Sequence, residues 1–471
     1  MFDPDIAPSG TLLGLLQRGR GDGPLHALAT ERAEALAALE HCVLRDPRLD
    51  WRVESRSLYY ARLYSDLEGP LDGVEQHLFH PDDLLVPDEH RCGLALSVLG
   101  HLAGYGRRDA LRLLRRYAAA GGSWSWALDE LAVRDDEAGL RALGPAVVAR
   151  FPETEEGDAE LARAVREAYE PRPWQLWAED AARPGTAARV RKATEQVSFD
   201  RWQRQMRSAG PTPGWSVAAV LEWAEQGLAQ YPVLDRDQPA ARCLASVAGP
   251  EDRPALLDAA LHGPSAARAA ALRHLVDRRD PKAFALLEAA AAAADERVVR
   301  AAVESFERRA DDDATAHARQ WAERTDPLGY AAARILARHG GPRDADLVLA
   351  ALRRAVQAGG ADADGLDALV EGAGRLAACR AAPVLRHLYR ETSSSQLRGI
   401  AAHALAATDP GFAAGFAVEC LWDCEESTRE LAARKAASGD VRVLAQLRRL
   451  AADPAEEVDV QTAVRGRLSA G

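Results

Sequence analysis

Apolar positions along most of the chain return every three or four residues, the spacing of a helix with one buried face. The pattern is clearest in the second half. There it restarts at Arg268-Ala-Ala, Arg300-Ala-Ala, Tyr330-Ala-Ala, Asp367-Ala-Leu, Arg398-Gly-Ile, Arg429-Glu-Leu and Gln461-Thr-Ala, in steps of 32, 30, 37, 31, 31 and 32 residues. About eleven residues after most restarts comes a turn signal: Asp280-Pro281, Ala310-Asp311, Gly340-Gly341, Asp409-Pro410 and Gly439-Asp440. Proline and glycine stop one helix there, and aspartate can cap the next through the free N–H groups of its first turn. A second apolar-periodic stretch follows each turn, as in AFALLEAA, DLVLAALRRA, VLRHLY and VLAQLRRLA. The predicted unit is helix, turn, helix.

Small residues beside the restarts (Ala269, Ala270, Ala301, Ala302, Ala331 and Ala332) let neighbouring helices approach closely, while Leu272, Phe306 and Leu336 fill the space between layers. One such hairpin cannot bury its apolar face alone, whereas a stack can, each unit contacting its neighbours. On these residues and this period, roughly residues 240–468 resemble HEAT repeats of the short kind also found in phycobilisome-lyase-type proteins. The resemblance implies an all-α solenoid of stacked helical hairpins with a period of about 31 residues, used as a binding scaffold and only rarely for catalysis. The 37-residue step contains GGADADG, read as a lengthened flexible loop.

The first half carries a weaker echo. Helix starts near Arg56, Arg91 and Trp126 are 35 and 35 residues apart, separated by LEGPLDG and AGYGRRD. Between the halves, PETEEGD, PRPW and AGPTPGW break the period. The expected organisation is degenerate helical repeats over 1–150, an irregular Trp- and Arg-containing connection over 151–235, and the HEAT-like array over 236–471.

Charge changes the picture little. The formal net charge is −12, and the three segments carry 17 basic against 23 acidic, 10 against 14, and 32 against 34 residues. No long segment is basic, which argues against an extended nucleic-acid surface. Only Lys192, Lys282 and Lys435 are lysines, so nearly all positive charge is arginine, for which Arg-favouring codon usage is the plain explanation. The six cysteines form no C-x-x-C, so packed, reduced thiols are expected; Cys420 and Cys424, four apart in FAVECLWDCEE, are expected on one face of one helix. The first residues lack a basic n-region, and Leu12 to Leu16 is too short for a leader or a span, so the cytosol is the expected location and no membrane is involved.

Candidate chemistry concentrates in the connection. It holds Trp174, Trp177, Trp202, Trp215 and Trp223, with Arg183, Arg189, Arg191, Lys192, Arg201, Arg204 and Arg207 between them. Tryptophan and arginine are the side chains that anchor protein interfaces or stack on bases; they equally plug a joint between helices, with arginine stems lying along the rings. Trp174, Trp177, Arg189, Arg191, Lys192, Arg201, Trp202, Arg204 and Arg207 are the candidate partner-binding residues. His77, His80, Asp82, Asp83, Asp88, Glu89 and His90 cluster in HLFHPDDLLVPDEH, but without a strict metal-ligand spacing, and a solvated loop is the expected outcome. Asp135-Asp136-Glu137 and Asp311-Asp312-Asp313 read as solvated, capping turns. No G-x-S-x-G or strand-linked glycine motif occurs. No catalytic residue, metal or cofactor is therefore expected. The expected function is a non-catalytic interaction scaffold for a protein or peptide; the alternative is a nucleic-acid-binding HEAT-like DNA-repair protein of the alkyl-base glycosylase type. Asp200 before Trp202 faintly resembles that family's acid flanked by tryptophans, though no motif of the family matches residue by residue and the net charge is negative. A tetrapyrrole-modifying role rests on the resemblance alone.

Overall fold

The computed structural model describes residues 6–47, 56–81, 88–205, 215–230, 236–439 and 441–469, with the backbone alone for 196–205 and 229–230. Among the described residues there are 28 α-helices and no strand. None of these helices is long and apolar enough to cross a membrane. Each of the seven restarts read from the sequence lies near the start of a helix, namely Ser265–Asp277, Glu296–Glu307, Pro327–His339, Leu366–Arg375, Ser395–Thr408, Glu426–Lys435 and Val458–Ser469. A partner helix follows the first six.

The alanines do what small residues at a crossing should: Ala269, Ala270, Ala301, Ala302, Ala331 and Ala332 are all fully buried, with Leu272, Phe306 and Leu336 beside them. Several helices start as their sequence demands. Asp295, Asp311 and Asp326 each accept a first-turn backbone N–H at 2.9 Å. Other turn acids have a second partner. Asp280, Asp344 and Asp409 accept guanidinium hydrogen bonds from Arg253, Arg319 and Arg386, at 2.6, 2.8 and 2.7 Å. Those guanidinium groups hold the Asp280 and Asp344 carboxyls below the ordinary carboxylate range.

Arginine has a second structural use. Last-turn carbonyls of a helix lack an acceptor's partner, and an arginine from a neighbouring helix supplies it. Arg278 donates to the Ala245 carbonyl at 2.7 Å, Arg354 to Ala322 at 2.7 Å, and Arg467 to Ala436 at 3.1 Å. Arg375 serves both Ala337 and Gly340. Arg150 and Arg172 do the same for Ala119 and Ala132, and Arg107 donates to the carbonyl of Gly69, in the turn after the helix Arg56–Asp66.

The chain divides into two compact units. One comprises Met1–Ser208, Glu391–Gly399 and Gly411–Gly471; the other comprises Ala209–Arg390 and Ile400–Pro410. The first therefore joins residues nearly 400 positions apart. Arg62, on the helix Arg56–Asp66, bridges Asp453 at 2.7 Å and Glu456 at 3.0 Å. Glu456 also receives the buried Arg429 at 2.7 Å, and the Tyr105 hydroxyl donates to Asp453 at 3.0 Å. Gly19 (φ +67°) lets the first helices approach residues 419–424. A Cβ at Gly19 would meet the Cys424 Sγ at 2.4 Å, and one at Gly21 the Glu419 carbonyl oxygen at 1.8 Å. In the second unit the buried Arg273 pairs with Asp237 at 2.8 Å and Glu304 at 2.7 Å.

Three sequence expectations are corrected here. Cys420 and Cys424 are both buried, but the helix Phe416–Cys420 ends between them, because the Cys424 N–H donates to the Gly19 carbonyl at 3.0 Å instead of continuing the helix. Asp136 caps a helix as expected, but Asp135 is buried and held by Arg115 at 2.8 Å. GGADADG is not a plain loop: the helix Ala345–Gly359 runs into a 3-10 turn, Gly360–Asp362, with Gly360 and Gly365 at φ +76° and +75°.

His101 lies by this junction. Burial first, then the Arg134 and Arg62 charges, push its pKa down to about 4. Asp453 and Glu456 are buried, which alone would raise them, but their arginine partners hold both below the ordinary range. All three signs agree. Below pH 6.5 the unfolded chain protonates His101 while the folded one does not, and below about pH 4 the depressed carboxylates are lost. Stability should therefore fall as pH drops from 6.5 to 4, with His101 supplying up to roughly 3 kcal/mol of that slope. Urea unfolding of His101→Gln at pH 7 and pH 4.5 should show a smaller difference between the two pH values than wild type; an unchanged difference would remove His101 from the account.

Candidate binding cleft

Of the residues singled out in the connection, Trp174 and Trp177 are buried, and Arg189, Arg191 and Lys192 have partners within the chain. Trp174 and Trp177 are 3% and 1% exposed, and the Trp177 indole N–H donates to the Leu140 carbonyl at 2.7 Å. Arg189 donates to Asp158 at 3.0 Å and to the Phe151 and Pro152 carbonyls. Lys192 joins it on Asp158 at 2.8 Å, and Arg191 donates to the Ala178 carbonyl at 3.1 Å. Arg201, Trp202 and Arg204 lie on the helix Pro184–Gln205, where their side chains and those of the acid candidate Asp200 are outside the described residues; Arg207 lies outside them altogether. Trp215 and Trp223 form an edge-on pair at 5.9 Å in the second unit, with Arg236 over Trp223. His77 spends its ring nitrogen on the Arg91 carbonyl, and Asp82 and Asp83 are outside the described residues. Among those described, no group of three His, Cys, Asp or Glu is placed to hold a metal ion.

Trp174 does reach one open feature, a cleft of about 710 Å³ in the first unit between the helices Trp124–Arg134 and Glu155–Glu167. Its aromatic wall is a column of edge-on rings: Trp177 on Trp174 at 5.0 Å, Trp174 on Trp124 at 6.3 Å, and Trp124 on Phe151 at 5.7 Å. Arg150 lies 5.6 Å above Trp124 while its N–H groups cap the Ala119 and Gly121 carbonyls. Trp126 is fixed by its indole N–H to Ser97 at 3.0 Å, and Ser97 in turn donates to Glu130 at 2.9 Å. Trp124 and Trp126 are only half-buried, so part of each ring faces the opening. Rigid, wet-edged indoles of this kind anchor recognition surfaces.

Asp129 follows Trp126 by three positions and shares its side of the helix. Its carboxylate accepts the Glu170 N–H at 3.2 Å, and among the described residues no lysine or arginine pairs with it. Burial, with the Glu170 charge adding, raises its pKa to about 6 despite that backbone hydrogen bond. Glu89, Glu160 and Glu167 also line the cleft, against Arg150 and Arg163, so four carboxylates face two guanidinium groups, a formal −2. Tyr169, next in the chain to the lining residue Ala168, is 85% exposed.

A second cavity of about 660 Å³, lined by Arg62, Tyr105, Arg449 and Asp453, has its arginines already paired, Arg62 to Asp453 and Glu456 and Arg449 to Asp66. It offers a ligand less. Trp124, Trp126 and Asp129 lie outside the connection whose tryptophan density marks the sequence candidates; their own local signal is W-S-W at the start of a helix with Asp129 at its middle.

No model of a known protein family matches the chain, and no curated protein matches it either.

Tryptophan emission should report the raised Asp129 pKa. A fluorescence titration should show a transition near pH 6 that Asp129→Asn removes, with Glu170, Glu130, Glu160, Glu167, Arg150 and Arg163 left in place. A transition that persists in Asp129→Asn, or none above pH 4.5, would contradict this site description.

Proposed function

We propose that the chain is a HEAT-like helical-repeat scaffold without a catalytic centre, and that it binds a protein or peptide partner through the cleft of Trp124, Trp126 and Asp129. The roughly 31-residue spacing of the restarts, and the helix that each of them begins, support the repeat reading. One observation carries the binding reading: two half-buried indoles stand in an open cleft beside a carboxylate that no described cation neutralises. Internal contacts fix both indoles while leaving part of each ring at the opening, and Asp129 keeps a carboxylate that a ligand cation can meet.

An acid among tryptophans would also suit a cationic alkylated base, the alternative reading. The formal −2 of the lining works against bringing a polyanion to it. The same logic applies to Arg189 and Lys192, which already share Asp158.

The test is selection from a random linear-peptide display library on the full chain. Enriched peptides should bind Trp126→Leu at least ten-fold more weakly than wild type, in line with the loss of an interface hot spot of about 2 kcal/mol. Thermal unfolding monitors that the variant remains folded, and Glu167→Arg, an exposed rim change, serves as a second probe. Failure to enrich any peptide, or binding indifferent to both variants, would refute the proposal.

A further inference from the structure

We infer that the partner segment places a lysine or arginine side chain in the cleft, its charge against Asp129 and its stem or guanidinium plane against Trp124 and Trp126. This inference rests on the peptide-binding reading above and specifies its chemistry. The first argument is a contrast within the same region. Asp135 is met by Arg115 at 2.5 Å, Asp158 by Arg189 and Lys192, Asp180 by Arg183 at 2.8 Å, and Glu130 by Arg134 at 2.5 Å. Asp129, like Glu130 and Asp158, is half-buried, and Asp135 and Asp180 are buried, yet the partner of Asp129 is a single backbone N–H. A desolvated carboxylate without a counter-charge is costly, and a ligand cation is the group that would offset that cost.

The second argument is the wall. Indole faces attract ammonium and guanidinium groups, and the attraction strengthens where water is partly excluded. Arg150 over Trp124 already shows one such pairing inside the protein. Its guanidinium is tied to two carbonyls and does not reach Asp129 by any hydrogen bond or ion pair in the structure. The third argument is the rim, where Glu89, Glu160 and Glu167 against Arg150 and Arg163 leave negative charge to steer a basic segment inward.

The probes are four sets of randomised nonapeptides, alike except for a fixed central residue: arginine, lysine, citrulline or glutamate. Binding to the full chain is read by fluorescence anisotropy, with a single-stranded DNA dodecamer as competitor at physiological salt. The arginine or lysine set should bind at least ten-fold more tightly than the citrulline set, and the glutamate set most weakly. Asp129→Asn, nearly isosteric, should abolish the preference for charge over citrulline; Glu167→Gln, exposed and remote from the packing, should weaken it partially. Equal binding of the charged and citrulline sets would overturn the cation inference while leaving the scaffold reading intact. Binding by none of the four sets would overturn both. Displacement of bound peptide by the oligonucleotide would assign the cleft to nucleic acid and overturn the inference.

Discussion

A guanidinium group reaching from one helix to the end of another is the interaction on which this architecture leans. Many short helices present many C-terminal ends, and each leaves carbonyls without a donor inside the helix. Arg278, Arg354, Arg375 and Arg467 in the second half, and Arg150 and Arg172 in the first, satisfy such carbonyls on a neighbouring element. Arg253, Arg319, Arg386, Arg398 and Arg429 reach turn carboxylates 23 to 27 residues onward. A lysine ammonium, a point donor, cannot serve two acceptors in one plane as the forked guanidinium does. The near absence of lysine then has a physical meaning beyond codon usage, because most of the arginines named here are framework.

The same use of arginine accounts for part of the connection. Arginines clustered near tryptophans look like a recognition surface in a sequence, and Arg189 and Lys192 would fit that description. In the folded chain they hold Asp158 and the Phe151 and Pro152 carbonyls, and Trp174 and Trp177 fill the space beneath. The proposed site lies elsewhere, where the half-buried Trp124 and Trp126 line the same opening as Asp129, a carboxylate that no described lysine or arginine pairs with.

The helices were legible because their signal is local. Apolar spacing, the Ala pairs after the restarts at 268, 300 and 330, and the Asp, Gly and Pro turns all act within one or two turns of backbone, and the seven restarts fall on helices accordingly. What could not be read was long-range. No local pattern says that Arg62 will meet Asp453 and Glu456, or that the Cys424 N–H will go to Gly19 and so end a helix after Cys420. The burial of Asp135 was hidden for the same reason, since its counter-charge, Arg115, lies 20 residues earlier on another helix. The cleft itself is a product of such contacts, being set by Trp124 against Phe151 and Trp174.

The most direct test of the arginine framework is a double-mutant cycle on Arg429 and Glu456, whose side chains are 1% and 0% exposed and whose N···O separation is 2.7 Å. Equilibrium urea unfolding of wild type, Arg429→Met, Glu456→Gln and the double variant gives the coupling between them. A coupling of about 2 kcal/mol or more is expected, with Glu456→Gln costing most because it strands the buried Arg429 charge, whereas Arg429→Met leaves Glu456 its bridge to Arg62. Additive effects, with coupling near zero, would show that the guanidinium bridge does not hold these helices together.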